Sequence, residues 1–249
     1  MRRIRLDLSY DGSGFCGWQI QAKGRTVQGV VEEALSHLLK ETVRVIGAGR
    51  TDSGVHAERQ SCHFDTQNKS IPADKFAPAL NRFLPPDIRI LESSAADSRF
   101  HARFSATERV YRYRFYPGFP APPMWSRYAL ALKHPLSTER LNRLAAVFVG
   151  THDFTAFCSA SDRSRSKIRT INRAFFFEQP PFLVFEIAGN AFLWNMVRSI
   201  VGTILNEYGS EDAEEKIRRL LESGNRSGCG TTAPAHGLSL IRVKYDEEE

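Results

Sequence analysis

Residues 47–57 read Gly-Ala-Gly-Arg-Thr-Asp-Ser-Gly-Val-His-Ala and seat one carboxylate, Asp52, in a glycine-flanked loop beside Arg50. Glycine reaches left-handed and crowded backbone conformations and lets the chain come close to a ligand, while Thr51 and Ser53 can hydrogen-bond locally and hold the turn. A reactive acid would be presented in this way. An Asp followed by Ser-Gly is also an ordinary turn former, so the segment gains chemical meaning only from what accompanies it.

Two further positions stand out. Arg198 is the lone charge in residues 192–202, an otherwise apolar stretch, and a buried charge requires a partner. Either it meets a carboxylate, which would keep Asp52 ionised and oriented, or it snorkels to the surface. In residues 110–115, Tyr111, Tyr113 and Phe115 alternate with Arg112 and Arg114, so the aromatics face a core or cleft and the arginines face away. Such tyrosines are core by default, whereas one at the cleft end of the strand can stack on a nucleobase.

Other chemistries lack their residues. Cys16, Cys62, Cys158 and Cys229 form no Cys-x-x-Cys pair, and His56, His63, His101, His152 and His236 never stand at metal-ligand spacing with a third donor. No P-loop or Gly-x-Ser-x-Gly elbow is present. Gly12, Gly14 and Gly17 match the spacing of a dinucleotide-binding loop after a strand, but residues 18–25 intervene before any helix, which the fingerprint does not allow. That stretch, with Trp18, Gln19, Gln21, Lys23 and Arg25, suits contact with a base or phosphate, or an ordinary polar surface loop. What remains is one acid, an adjacent arginine, a candidate stacking tyrosine and basic tracks, which together suggest chemistry on a nucleic acid without a metal or an organic cofactor.

The elements that must position these residues follow from periodicity. Ile4, Leu6 and Leu8 alternate with charged and polar residues, predicting a half-buried strand broken at Tyr10-Asp11-Gly12. Thr26 is a candidate N-cap for a helix with Val27, Val30, Val31, Ala34, Leu35, Leu38 and Leu39 on one face. A strand is expected from Val43 into the Asp52 loop, and another over residues 60–66. A second strand-turn-helix unit is expected over 182–208, with the strand over 182–188 and the helix from Leu193 to Tyr208, then a helix over 211–223 and a strand over 238–245. The proline-rich residues 117–123 mark the expected lobe junction, dividing the chain into 1–116 and 117–249. Mixed strands and helices throughout predict an α+β fold.

Charge bounds the partners. The 249 residues carry a net charge of +6, with arginine clustered at 99–114 and again, with Lys167, at 163–173, an arrangement suited to an extended phosphate track. Residues 246–249 are all acidic. The charged N-terminus does not read as a signal peptide, and no apolar run approaches membrane-spanning length, so a reducing cytoplasm and no membrane are expected.

In this order, Tyr10-Asp11-Gly12, Gly49-Arg50-Thr51-Asp52-Ser53-Gly54, Phe100-His101-Ala102-Arg103-Phe104-Ser105-Ala106, Tyr111-Arg112-Tyr113, Met196-Val197-Arg198 and Ala233-Pro234-Ala235-His236-Gly237-Leu238 span nearly the whole chain. Together they resemble the tRNA pseudouridine synthase A family. Ser53 departs from the family's usual alanine, and Leu193-Trp194-Asn195 is a local variant before Met196; neither is a reacting group. The resemblance implies two related lobes of mainly antiparallel sheet flanked by helices around a central cleft, the pseudouridine synthase fold. It implies isomerisation of uridine to pseudouridine in the anticodon stem-loop of tRNA, at positions 38, 39 and 40. By the same carry-over Asp52 is the catalytic aspartate and Arg198 its ion-pair partner. Arg50 assists flipping of the uridine, Tyr111 packs on the target base and Leu238 lines the uracil pocket. A homodimer, tRNA as partner, and no metal or cofactor complete the expectation. The alternatives are a pseudouridine synthase acting on another tRNA position or RNA, a non-catalytic RNA-binding module, which would gain nothing from a carboxylate set against phosphate-rich RNA, and a glycoside-type hydrolase, which would need a second acid that no recognisable position supplies.

Overall fold

The alternating segment at the start of the chain forms strand β1 (Arg2–Tyr10) in the computed structural model, which describes residues 1–246. Ile4, Leu6 and Leu8 are fully buried, while Arg3 and Arg5 make ion pairs with Asp65 and Asp7 on the opposite face. Helix α1 (Val27–Leu39) starts where the sequence predicts: the Thr26 hydroxyl accepts from the Gly29 N–H, and Val27, Val31, Ala34 and Leu35 are buried. The strand expected from Val43 shrinks to β2 (Ile46–Gly47). Side chains of α1 take the backbone groups that a strand partner would have used: Val45 N–H donates to Glu32 Oε1 at 2.9 Å, and the Gln28 amide donates to the Val45 carbonyl at 3.1 Å.

Strand β3 (His56–Thr66) starts earlier than predicted and lies antiparallel to β1, with Ile4 opposite Phe64. Short helix α2 (Phe76–Leu80) sets Phe76 edge-on to Phe64 at 5.4 Å, and β4 (Ile88–Ala96) pairs with the free edge of β1.

The arginine-tyrosine alternation becomes β5 (Ala106–Tyr116), with Tyr111, Tyr113 and Phe115 buried and Arg112 and Arg114 half-buried on the other face. After β6 (Leu130–Ala131) come helix α3 (Thr138–Ala146) and strands β7 (Gly150–Asp153), β8 (Ile168–Gln179) and β9 (Phe182–Gly189). They order as β5-β9-β8-β7, all antiparallel, with β6 parallel to β5. On one face Phe176 meets Phe185 at 4.7 Å and Phe115 at 6.0 Å. On the other Glu186 accepts from both Arg112 and Arg173, and Arg173 also reaches Glu108, so each inward charge has its counter-charge. Helices α4 (Met196–Glu207) and α5 (Ala213–Ser223) bury Ile200, Val201, Ile204, Ile217 and Leu221, and β10 (Leu238–Tyr245) closes the chain as predicted. The fold is α+β.

The chain divides into two units, Glu108–Leu238 and Met1–Thr107 with the terminal segment from Ser239. The division falls at 107/108, earlier in the chain than the 116/117 boundary expected from the prolines. Strand β5 is paired along its length with β9, from Arg109 opposite Gly189 to Phe115 opposite Leu183. The terminal strand joins β3 in parallel through Ser239 opposite His56 and Leu240 opposite Ala57, so the first unit orders as β4-β1-β3-β10. Residues 117–123 run irregularly inside the second unit.

Candidate active site

In the first unit Asp52 lies half-buried in the loop between β2 and β3, with Arg50 exposed two residues before it. The loop is pinned on both sides of the carboxylate. Before it, the Thr51 carbonyl accepts from the Trp18 N–H at 3.1 Å and the Thr51 hydroxyl lies 2.8 Å from the Tyr10 hydroxyl. After it, Ser53 Oγ and the Gly54 N–H both donate to the Phe15 carbonyl, and the Val55 N–H closes a turn onto the Asp52 carbonyl. Gln60 reaches back from β3 to the Gly49 carbonyl at 3.0 Å. These bonds fix the backbone that carries the acid, as a catalytic group requires.

The glycine loop 12–17 is the other half of this clamp. Gly17 takes φ +97°, and a Cβ there would lie 2.7 Å from the Thr51 carbonyl oxygen. A Cβ on Gly12 would overlap the Val55 carbonyl. The dinucleotide-like spacing therefore records close backbone packing. Trp18, expected as a surface contact, is buried, and Arg25 pairs with Asp87 at 2.5 Å while its guanidinium sits 4.1 Å over the Phe15 ring. Lys23 and Gln19 are exposed.

His56, next to the loop, has Nδ1 3.0 Å from the Gly12 N–H and 3.1 Å from Asp11 Oδ1. One nitrogen cannot accept from the first and donate to the second. The buried Gly12 N–H needs an acceptor, whereas Asp11 Oδ1 already receives the Ser13 N–H, so we assign the imidazole proton to Nε2.

In the second unit Tyr111 is buried on β5 with the Phe192 ring edge-on at 5.1 Å. Arg198 is half-buried in the first turn of α4 and is a structural fork: Nε donates to the Ala233 carbonyl at 2.7 Å and Nη1 to Asn195 Oδ1 at 3.1 Å. The Ala233 N–H returns a bond to the Arg198 carbonyl. Tyr113 donates to the Pro234 carbonyl at 2.8 Å and packs on Gly237; burial pushes its phenol above the usual range, against the opposing charge of Arg198. Residues 233–238 are thus held by Arg198 and Tyr113 and deliver buried Leu238 at the start of β10.

Thr51 holds the turn as its type suggests, whereas the parts of Tyr10, Phe15 and Trp18 in the clamp have no local signal: Tyr10-Asp11-Gly12 reads in sequence as a strand break and a family block, and Trp18 as a surface contact. A cavity of about 310 Å³ on the second unit, lined by Arg114, Trp125, Tyr128, Gln179, Pro180 and Phe182, holds none of the expected site residues. Among the described residues no group of three His, Cys, Asp or Glu could hold a metal ion, and no helix is long and apolar enough to cross a membrane. The cysteines are free thiols.

Comparison with known proteins gives these residues a family. The pattern described as tRNA pseudouridine synthase matches residues 8–105 and 144–246. The tRNA pseudouridine synthase A of Anoxybacillus flavithermus is 45% identical over 247 residues, 99% of this chain and 100% of that protein. The proteins of the same name from Treponema denticola and Bacillus subtilis are 43% and 42% identical, covering 99% and 98% of this chain and 94% and 99% of their own. A crystal structure of a Cbf5-Nop10-Gar1 complex aligns with 95% of this chain and 57% of that chain at TM-score 0.39 and 10% identity, too distant to bear on the site. On the family match and these full-length relatives, the chain belongs to the tRNA pseudouridine synthase family.

Proposed function

We propose that this protein isomerises uridine to pseudouridine at positions 38, 39 and 40 in the anticodon stem-loop of tRNA, with Asp52 as the essential carboxylate. The observation that carries the reading is Asp52 itself: an acid beside an exposed arginine, on a loop pinned from both sides, in a chain of this family. The reaction breaks the N1 to C1′ bond, turns the uracil and joins C5 to C1′, with the C5 proton lost to a base and N1 taking up a proton. It neither gains nor loses electrons and releases no group, so one well-held carboxylate is a sufficient reactive centre.

The target base must leave its stack, which costs a few kcal/mol. Arg50 is proposed to hold the vacated space, Tyr111 to pack on the extruded base and Leu238 to line the uracil pocket. Arg198 is proposed to keep the Asp52 carboxylate ionised. The working enzyme is proposed to be a homodimer acting in the cytoplasm, where its tRNA substrate is found.

The test is incubation of purified protein with unmodified tRNA transcript and a chelator, with no cofactor added, followed by mapping of pseudouridine at single-nucleotide resolution. Product at positions 38 to 40 is expected from the wild-type protein and none from Asp52→Asn, which still binds tRNA. Turnover by Asp52→Asn would remove Asp52 from its role. Binding without product in the wild-type protein would favour the non-catalytic reading.

A further inference from the structure

Residues 97–105, between β4 and β5, present an aromatic ring to solvent on an unusually well-tied backbone. Phe104 is 78% exposed, yet it is not loose: its ring stacks on His101 with centroids 4.3 Å apart and planes 29° from parallel. His101 Nδ1 accepts the backbone N–H groups of both Arg103 and Phe104 at 3.2 Å, which puts the imidazole proton on Nε2 and orients the ring. The Ser105 side chain and backbone N–H bond back to His101, and the Arg3 guanidinium holds the carbonyls of Ser98 and Phe100. Below, the Ala102 N–H donates to His63 and the Ala102 carbonyl accepts from Tyr245. A single exposed hydrophobic side chain is ordinary on a protein surface; what sets Phe104 apart is that its ring is held against His101 on a tied backbone while most of it stays open to solvent, the form of a stacking surface.

The surroundings say which kind. The Arg103 guanidinium lies 5.7 Å from the Phe104 ring, and on the same loop Arg99, 93% exposed, pairs with Asp97 at 3.2 Å. A flat apolar face beside an arginine suits a nucleobase with its phosphate, because every base offers a π-face and the arginine meets the backbone charge.

We propose that Phe104, backed by His101 and with Arg103 beside it, is a stacking platform for an unpaired base of the tRNA other than the uridine that reacts. The inference rests on the proposed tRNA substrate. It gives the block Phe100 to Ala106 a task that the reaction does not assign to it.

The test is tRNA affinity by fluorescence anisotropy, with pseudouridine yield measured in parallel. Stacking on one base corresponds to a rise in Kd of about 5- to 150-fold for Phe104→Ala. Phe104→Leu keeps the apolar bulk without a π-face and is expected to weaken binding likewise, whereas Phe104→Trp retains it. In transcripts carrying 2-aminopurine at single unpaired positions of the anticodon arm, one position is expected to be quenched by the wild-type protein and not by Phe104→Ala. Unchanged affinity in Phe104→Ala, or wild-type affinity in Phe104→Leu, overturns the platform. So does a Phe104→Ala protein that sediments as a smaller species than wild type, which would assign the ring to a contact between copies. A wild-type protein that binds tRNA without making pseudouridine overturns the functional reading alone and leaves the platform to be judged on binding.

Discussion

The Tyr10 and Thr51 hydroxyls lie 2.8 Å apart with both residues buried, so the end of β1 is tied directly to the residue before Asp52. Tyr10→Phe removes that partner from the buried Thr51 hydroxyl, and we expect a stability loss of about 1–2 kcal/mol. Turnover should fall further than tRNA affinity, because a misplacement of about 1 Å can cost roughly 10²-fold in rate. Urea midpoints and single-turnover rates check both parts. A destabilised protein with a wild-type single-turnover rate would show that the bond serves the fold only.

Gly17 and Gly14, two glycines of the dinucleotide-like spacing, are expected to differ. Gly17→Ala meets both a positive φ and the Thr51 carbonyl, and should cost about 1–3 kcal/mol and displace the loop. Gly14→Ala meets only Arg25 Nη1 at 3.6 Å and Asp87 Oδ2 at 3.8 Å, ordinary contacts, and should leave melting temperature and activity near wild type. Thermal melts and pseudouridine yields of the pair decide it. Equal damage at both positions would mean that the loop's flexibility, not its packing against residues 51–55, is what the glycines supply.

This contrast also shows what the sequence could and could not reveal. Strand β1, helix α1 with its Thr26 cap and strand β10 follow local periodicity and were legible to within a residue or two. The start of α4 was not: expected at 193, it begins at Met196 because Asn195 takes φ 64°, a tertiary choice that no apolar pattern encodes. Asp52 could be singled out from its glycines and arginine. The residues that hold it could not, since Tyr10 and Trp18 touch the loop from more than thirty positions away in the chain.

Arg198 separates charge from geometry. Its fork onto Ala233 and Asn195 uses two directions at once, which a lysine cannot reproduce. Arg198→Lys should therefore slow turnover roughly tenfold or more while leaving the acid limb of the kcat/KM profile in place. Arg198→Gln removes the cation. If that cation keeps Asp52 ionised, the carboxylate pKa rises in the variant and activity is lost at a higher pH as the solution is acidified. An acid limb unmoved in Arg198→Gln would take the ion pair out of the proposed mechanism and leave Arg198 as the brace of residues 233–238.

His63 gives stability its own pH dependence. The ring is buried on β3 and accepts the Ala102 N–H at 3.1 Å; burial first, then the charges of Arg3 and His101, lower its pKa to about 4 from 6.5. A histidine held neutral in the fold binds its proton more readily when unfolded. Its contribution is therefore present above about pH 6.5 and is lost as pH falls towards 4, on the order of 3 kcal/mol in all. His101, lowered in the same direction, adds to the slope. His63→Gln has no proton to gain, so the fall in urea midpoint between pH 6.5 and 4.5 should be shallower than in wild type. Parallel profiles would assign the acid sensitivity to carboxylates instead. A shallower one would mean that acid weakens the tie beneath residues 97–105, and tRNA affinity should then recover in the variant at pH 5.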